Sequence, residues 1–229
     1  MRQSSFNVVH LAVALLCVVV FVTLAIAVGS THRDHRARPM QNNTQLRGIH
    51  QSMVTFSNSN RNYFPGLHPD GTTLNLRVEY RYQILLEEDF FTPEYAISPS
   101  ETEDITEWEG WDAPDGHRPL VTQNNYSYAM LQVPEEQSNR RSEWSQTLNT
   151  QAIVLSDRNT GSRANPTSVH TDRGGPWGGG VLRNDNSVSF ESTDIFETKY
   201  GASELNEADR LFEAVGPSDA LLIHSGNKE

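Results

Sequence analysis

The sequence predicts an α+β fold in which a long N-terminal helix, first membrane-spanning and then amphipathic, packs on a small antiparallel β-sheet. Three observations predict it. Val8 to Val28 is a run of 21 residues without Asp, Glu, Lys or Arg. Leu46, Ile49, Met53 and Phe56 fall at i, i+3, i+7 and i+10, one stripe of a 3.6-residue period. Beyond Asn125, short β-prone runs alternate with polar turns, a pattern that favours antiparallel pairing.

The bulk numbers narrow the function classes. With 229 residues the chain holds one domain or two small ones. A formal charge of −11, from 18 Lys+Arg against 29 Asp+Glu, argues against nucleic acid as a partner. The single Cys17 excludes an intrachain disulfide framework and a cysteine zinc cluster. The charges are segregated. Residues 31–61 hold five arginines and one acid, and residues 82–117 hold eleven acids and no Lys or Arg. The acidic stretch reads first as a solvated loop, with calcium or a basic partner surface as the alternatives.

Residues 1–7 form a short leader, and 8–28 the transmembrane helix. As a helix this run spans about 32 Å at about 1.5 Å per residue, the reach of a bilayer's hydrocarbon core. Two membrane readings fit. A cleaved signal peptide would use the small-x-small site Ala25-Ile26-Ala27. A retained anchor fits better a run longer than the usual signal core of about 7–15 residues. Arg33, Arg36 and Arg38 follow the run, so the positive-inside rule alone would place the C-terminal side in the cytoplasm.

Residues 29–62 read as an amphipathic helix that extends the anchor after a break near Gly29-Ser30, with Pro39 at an early helical position. Phe64-Pro65-Gly66 forbids its continuation. Residues 63–229 then form the globular part. Residues 74–87 alternate strictly like a strand, yet Val78, Tyr82, Leu85 and Leu86 also fit a helical stripe. Tyr126–Val133 and Gln151–Leu155 are strand candidates. Val181–Arg183 and Val188–Phe190 flank Asn184-Asp185-Asn186-Ser187, which is hairpin turn chemistry. Residues 204–213 read as a short helix and Ala220–Ile223 as a last strand.

Several blocks carry a family resemblance. They are Asn43 to Phe56 (N-x-x-Q-L-R-x-I-x-x-x-M-x-x-F in outline), Phe64-Pro65-Gly66, Ala96-Ile97-Ser98-Pro99-Ser100-Glu101, Asn125 to Met130 and Ser156 to Gly161. The last is His170 followed, after a glycine-rich gap, by Asp185-Asn186-Ser187-Val188-Ser189-Phe190. Together with the N-terminal helix, these blocks resemble the type IV pilin-like and type II secretion pseudopilin-like family abundant in planctomycete bacteria. The resemblance implies a pilin-like fold and a helix over residues 77–88. It also implies an inner (cytoplasmic) membrane location, single-pass, with the globular domain outside the cytoplasm. Processing would fall at Ser5-Phe6. His10 occupies the position where such chains carry a Glu.

The functional expectation is therefore a membrane-anchored structural subunit or accessory of a type II secretion or type IV pilus-like system, and not an enzyme. Its partners would be the lipid bilayer, other copies through the N-terminal helix, and secretion or pilus proteins. Leu46, Ile49, Met53 and Phe56 would be the assembly stripe. The alternative is an anchored or secreted envelope binding protein of the same fold that does not form filaments.

The candidate chemistry is thin. No P-loop, dinucleotide fingerprint or G-x-S-x-G elbow occurs. Asp157-Arg158-Asn159-Thr160-Gly161 has the D-x-N-x-G opening of a calcium loop, but Ser168 stands at the twelfth position where a Glu should close it. Asp157, Asn159, His170 and Asp185 are thus the candidate metal ligands, with Ca2+ as the ion and no other cofactor implied. Asp172 stands two residues beyond His170. The plainer reading is that His170 and Asp185 hold the hairpin together by side-chain bonds. Trp108, Trp111, Trp144 and Trp177 read as packing residues before they read as a glycan-binding face.

Overall fold

The computed structural model describes residues 8–101, 105–110, 119–171 and 175–226, with side chains described at 16–20 and from 38 onward within those ranges. The chain divides into two compact units, Met1–Met40 and Gln41–Glu229. In the first unit the backbone is helical from Val8, and the described apolar side chains Leu16, Val18, Val19 and Val20 are 47–66% exposed.

Helix α1 (Val8–Ser59) runs on through Gly29, Ser30 and Pro39, so the expected break near Gly29-Ser30 is absent. Its part within the second unit is held by the predicted stripe. Leu46, Ile49 and Met53 are fully buried. The chain leaves α1 through Arg61 and Asn62, both at positive φ, into Phe64-Pro65-Gly66. Gly66 has φ +100°, and a Cβ there would lie 2.6 Å from the Asn75 carbonyl oxygen, so only glycine makes this turn. Helix α2 (Val78–Glu87) makes the ambiguous run helical from Val78 on, while residues 74–77 stay outside it. A four-residue helix, α3 (Asn139–Ser142), starts at Ser138, whose side chain accepts from the Arg141 N–H.

The strands are β1 (Tyr128–Leu131), β2 (Ile153–Asp157), β3 (Gly179–Arg183), β4 (Val188–Glu191), β5 (Ile195–Thr198), β6 (Asn206–Arg210) and β7 (Leu222–Ile223). Five form one antiparallel sheet in the order β4-β3-β2-β1-β7, and β5 and β6 form a separate ribbon. The β3–β4 hairpin turns where the composition placed it. Asn186 takes φ 67°, and the Asp185 carboxylate accepts the Ser187 N–H at 2.9 Å. β6 replaces the helix expected over 204–213. There, pairing with β5 and a bond from Thr198 to the buried Asp209 outweigh the helical spacing of Leu205, Ala208 and Phe212.

The predicted fold class and location need correction. The unit from Gln41 on is mostly antiparallel sheet, with α2 and α3 short. Among the described residues no helix is long and apolar enough to cross a membrane. The α+β, pilin-like class built on a membrane-spanning helix is therefore overturned, and so is the single-pass inner-membrane anchor.

Candidate functional site

Asp157 and His170, two of the residues singled out by sequence, meet at a buried junction where α1 crosses the centre of the sheet. Antiparallel register sets Tyr128 of β1 opposite Asp157 of β2, so both side chains leave the same face of the sheet. β3 runs beside them and presents Gly180, whose N–H donates to Asp157 Oδ2 at 2.5 Å. A Cβ on Gly180 would fall 2.5 Å from Leu46 Cδ1 and 2.8 Å from Asn42 Nδ2. The missing side chain is what lets α1 approach the strand this closely.

Asn42 of α1 fills that approach. Its Nδ2 donates to Asp157 Oδ2 at 2.7 Å, and its Oδ1 accepts from Ser98 Oγ at 2.8 Å and Tyr128 Oη at 3.0 Å. Tyr128 Oη also lies 2.9 Å from Gln45 Oε1. Burial, with the Asp157 charge adding to it, holds the Tyr128 phenol well above its ordinary range, so it serves as a neutral donor. His170 closes the junction from the loop before β3. Its Nε2 stands 3.1 Å from Asp157 Oδ2, and the two side chains are 5% and 1% exposed. The Phe190 ring meets the His170 ring edge to face at 5.2 Å.

Around this centre, Arg158 grips Glu101 with two bonds of 2.7 and 3.1 Å, tying the Ser98-Pro99-Ser100-Glu101 stretch to the end of β2. Asp157 and its donors lie out of solvent, and each donor comes from a different segment. Chemically this is a fixed polar clamp that joins helix, sheet and loop.

The proposed ligands do not converge. Asp157 and His170 meet, but Asn159 turns into its own loop, accepting from the N–H groups of Gly161 at 2.8 Å and Thr167 at 3.1 Å. Asp185 stays in the hairpin turn on Ser187. Among the described residues no three His, Cys, Asp or Glu side chains are grouped to hold a metal ion. Asp172, Trp111, Ser5 and Phe6 lie outside the described residues, as does the side chain of His10. Leu46, Ile49 and Met53 belong to this chain's own core, and Phe56 packs against it, its ring 6.0 Å from Phe90.

No family model, curated protein or solved structure matches the chain. Its functional features therefore have to come from its own geometry.

Three such features escaped the sequence reading. Arg81 is fully buried, with its guanidinium 4.6 Å over the Trp144 ring and Nη1 donating to the Leu131 carbonyl at 2.8 Å. Burial lowers its pKa to about 9. The signal was present, because Arg81 lies on the Val78–Tyr82–Leu85 stripe. His50 likewise falls between Ile49 and Met53 on the apolar face of α1, and is 1% exposed. The third is a surface cleft of about 660 Å³, lined by Thr73–Arg77, Gln132, Glu135, Ser225 and Gly226. No local pattern announces a cleft whose walls, from Thr73 to Gly226, lie so far apart in sequence.

Proposed function

We infer that this chain is a structural subunit or accessory of a pilus-like or type II secretion-like assembly, and that it works by contact with other chains rather than by catalysis. One observation carries the reading. Leu16, Cys17, Val18, Val19 and Val20 are consecutive, apolar and exposed. At about 100° per residue, five successive positions point in every direction around the helix axis. A helix with an apolar surface on all sides calls for an apolar neighbour, and the same segment of a second copy is chemically matched to it. The resemblance of residues 43–56 and 96–101 to pilin-like blocks points the same way. The stripe Leu46–Ile49–Met53 is already engaged inside the chain, so contact falls to the segment before it.

Sedimentation equilibrium of the full chain tests this. Association is expected for the wild type, and the doubly charged variant Leu16→Glu, Val19→Glu should shift it to monomer. A wild type that stays monomeric at every concentration would overturn the reading.

The cleft at Thr73–Arg77 favours a second reading, a binding protein that does not assemble. That reading predicts a monomer in the same experiment.

A further inference from the structure

A small pocket opens on the face of the sheet turned away from α1, the face to which Ala129 points as the neighbour of Tyr128 along β1. It encloses about 190 Å³. Its apolar wall is made by Ala129, Phe212, Leu221, Leu222 and Ile223, each at most 8% exposed. Drug-sized sites begin at about 300 Å³, so this pocket suits one apolar group of a single residue's size.

Two polar groups stand at the same pocket. Arg163 lines it and is exposed, with no hydrogen bond or ion pair among the described residues. Arg158, by contrast, is engaged with Glu101. The loop that carries Arg163 is fixed by its own bonds. Asn159 Nδ2 donates to the Ser162 carbonyl at 3.1 Å, Asn159 Oδ1 accepts from the Gly161 and Thr167 N–H groups, and the Thr160 N–H donates to the Thr167 carbonyl at 2.9 Å. The guanidinium is thus offered from a preorganised loop. His224 lines the pocket as well. Its Nε2 lies 2.8 Å from the Tyr126 carbonyl, which only accepts, so Nε2 carries the proton. Burial lowers the ring's pKa to about 4 and keeps it neutral at pH 7. Nδ1 is then a bare lone pair, with no hydrogen-bond partner among the described residues.

We propose that this pocket captures the C-terminus of a peptide that ends in an aliphatic residue. The aliphatic side chain fills the apolar wall, the terminal carboxylate pairs with Arg163, and the amide N–H of the last residue donates to His224 Nδ1. Each of these groups excludes another occupant. A hydrocarbon has nothing for the guanidinium. An inorganic anion leaves the apolar wall in water. A short-chain carboxylate has no N–H for the imidazole. None of the residues involved belongs to the exposed segment around Cys17, so the site stands apart from the assembly reading.

NMR titration of the full chain, followed at the methyl groups of Ala129 and Ile223, tests this with three probes. They are acetyl-Gly-Gly-Leu as the free acid, the same peptide as its C-terminal amide, and isovalerate, which keeps the branched alkyl group and the carboxylate but has no N–H. The free acid is expected to saturate the shifts at millimolar concentration or below. The amide should bind at least about tenfold more weakly, the scale of one hydrogen bond to a charged group. Arg163→Gln, a change at an exposed loop position, should erase that preference and leave the melting temperature unchanged. No saturable shift with the free acid up to about 10 mM, a dissociation constant too weak for a specific site, overturns the proposal. So does an acid bound no better than its amide, or an Arg163→Gln protein that keeps the preference. Isovalerate bound as tightly as the peptide also overturns it, and would leave a small-carboxylate site in its place.

Discussion

Asp157 organises the junction through one oxygen, which accepts from Asn42 and Gly180 and faces His170 Nε2 at 3.1 Å. Removing it leaves the buried Asn42 amide and the Gly180 N–H without their acceptor. Asp157→Ala should cost about 3–5 kcal/mol, read as a lowered denaturant midpoint. Gly180→Ala should cost about 1–3 kcal/mol through overpacking, because the new methyl group would press on Leu46 and Asn42. A Gly180→Ala protein as stable as wild type would show that α1 does not lie this close to β3. At this scale the sequence was partly legible. Asp157 and His170 were singled out, but for metal chemistry, because carboxylate and imidazole look the same as ligands and as hydrogen-bond partners. Asn42 and Gly180 could not be paired with them, since those contacts join positions 115 and 23 residues away from Asp157.

Elements declared themselves where a single period ruled. The stripe Leu46–Ile49–Met53 was legible as an apolar face but was expected to serve assembly; it lies in the chain's own core, and Leu46→Ala should destabilise by about 2–5 kcal/mol as a core cavity. Had the stripe been an assembly surface, the monomer would hardly notice that change, so urea unfolding of the monomer distinguishes the roles. The turn at Asn184–Ser187 was equally plain, because Asx chemistry acts within a few residues. β6 was not. Its helical spacing lost to a partner strand, and pairing is a property of two segments rather than one. The positions of Arg81 and His50 show how far a stripe reaches. Both are polar members of an apolar face, and periodicity gives their burial without saying what satisfies them.

Across the whole molecule, pH should reveal how much buried imidazole the fold keeps neutral. Burial drives His224 down to about 4, against the opposing pull of its bond to the Tyr126 carbonyl at 2.8 Å. A depressed imidazole favours folding above the unfolded value of 6.5, and that contribution is lost as pH falls from 6.5 towards about 4. The shift corresponds to about 3 kcal/mol at full effect. Melting temperatures measured from pH 7 to 4 should fall, and more steeply in wild type than in His224→Gln. Equal slopes would place His224 in water.

The claim with the widest reach is that the exposed apolar segment around Cys17 meets the same segment of another copy. Mild oxidation of the full chain, followed by non-reducing electrophoresis, tests it most directly. Cys17 is the chain's one cysteine, so any disulfide between copies passes through it. The account predicts a covalent dimer that forms faster than in the same chain carrying Leu16→Glu and Val19→Glu. Equally slow cross-linking in both proteins would contradict it.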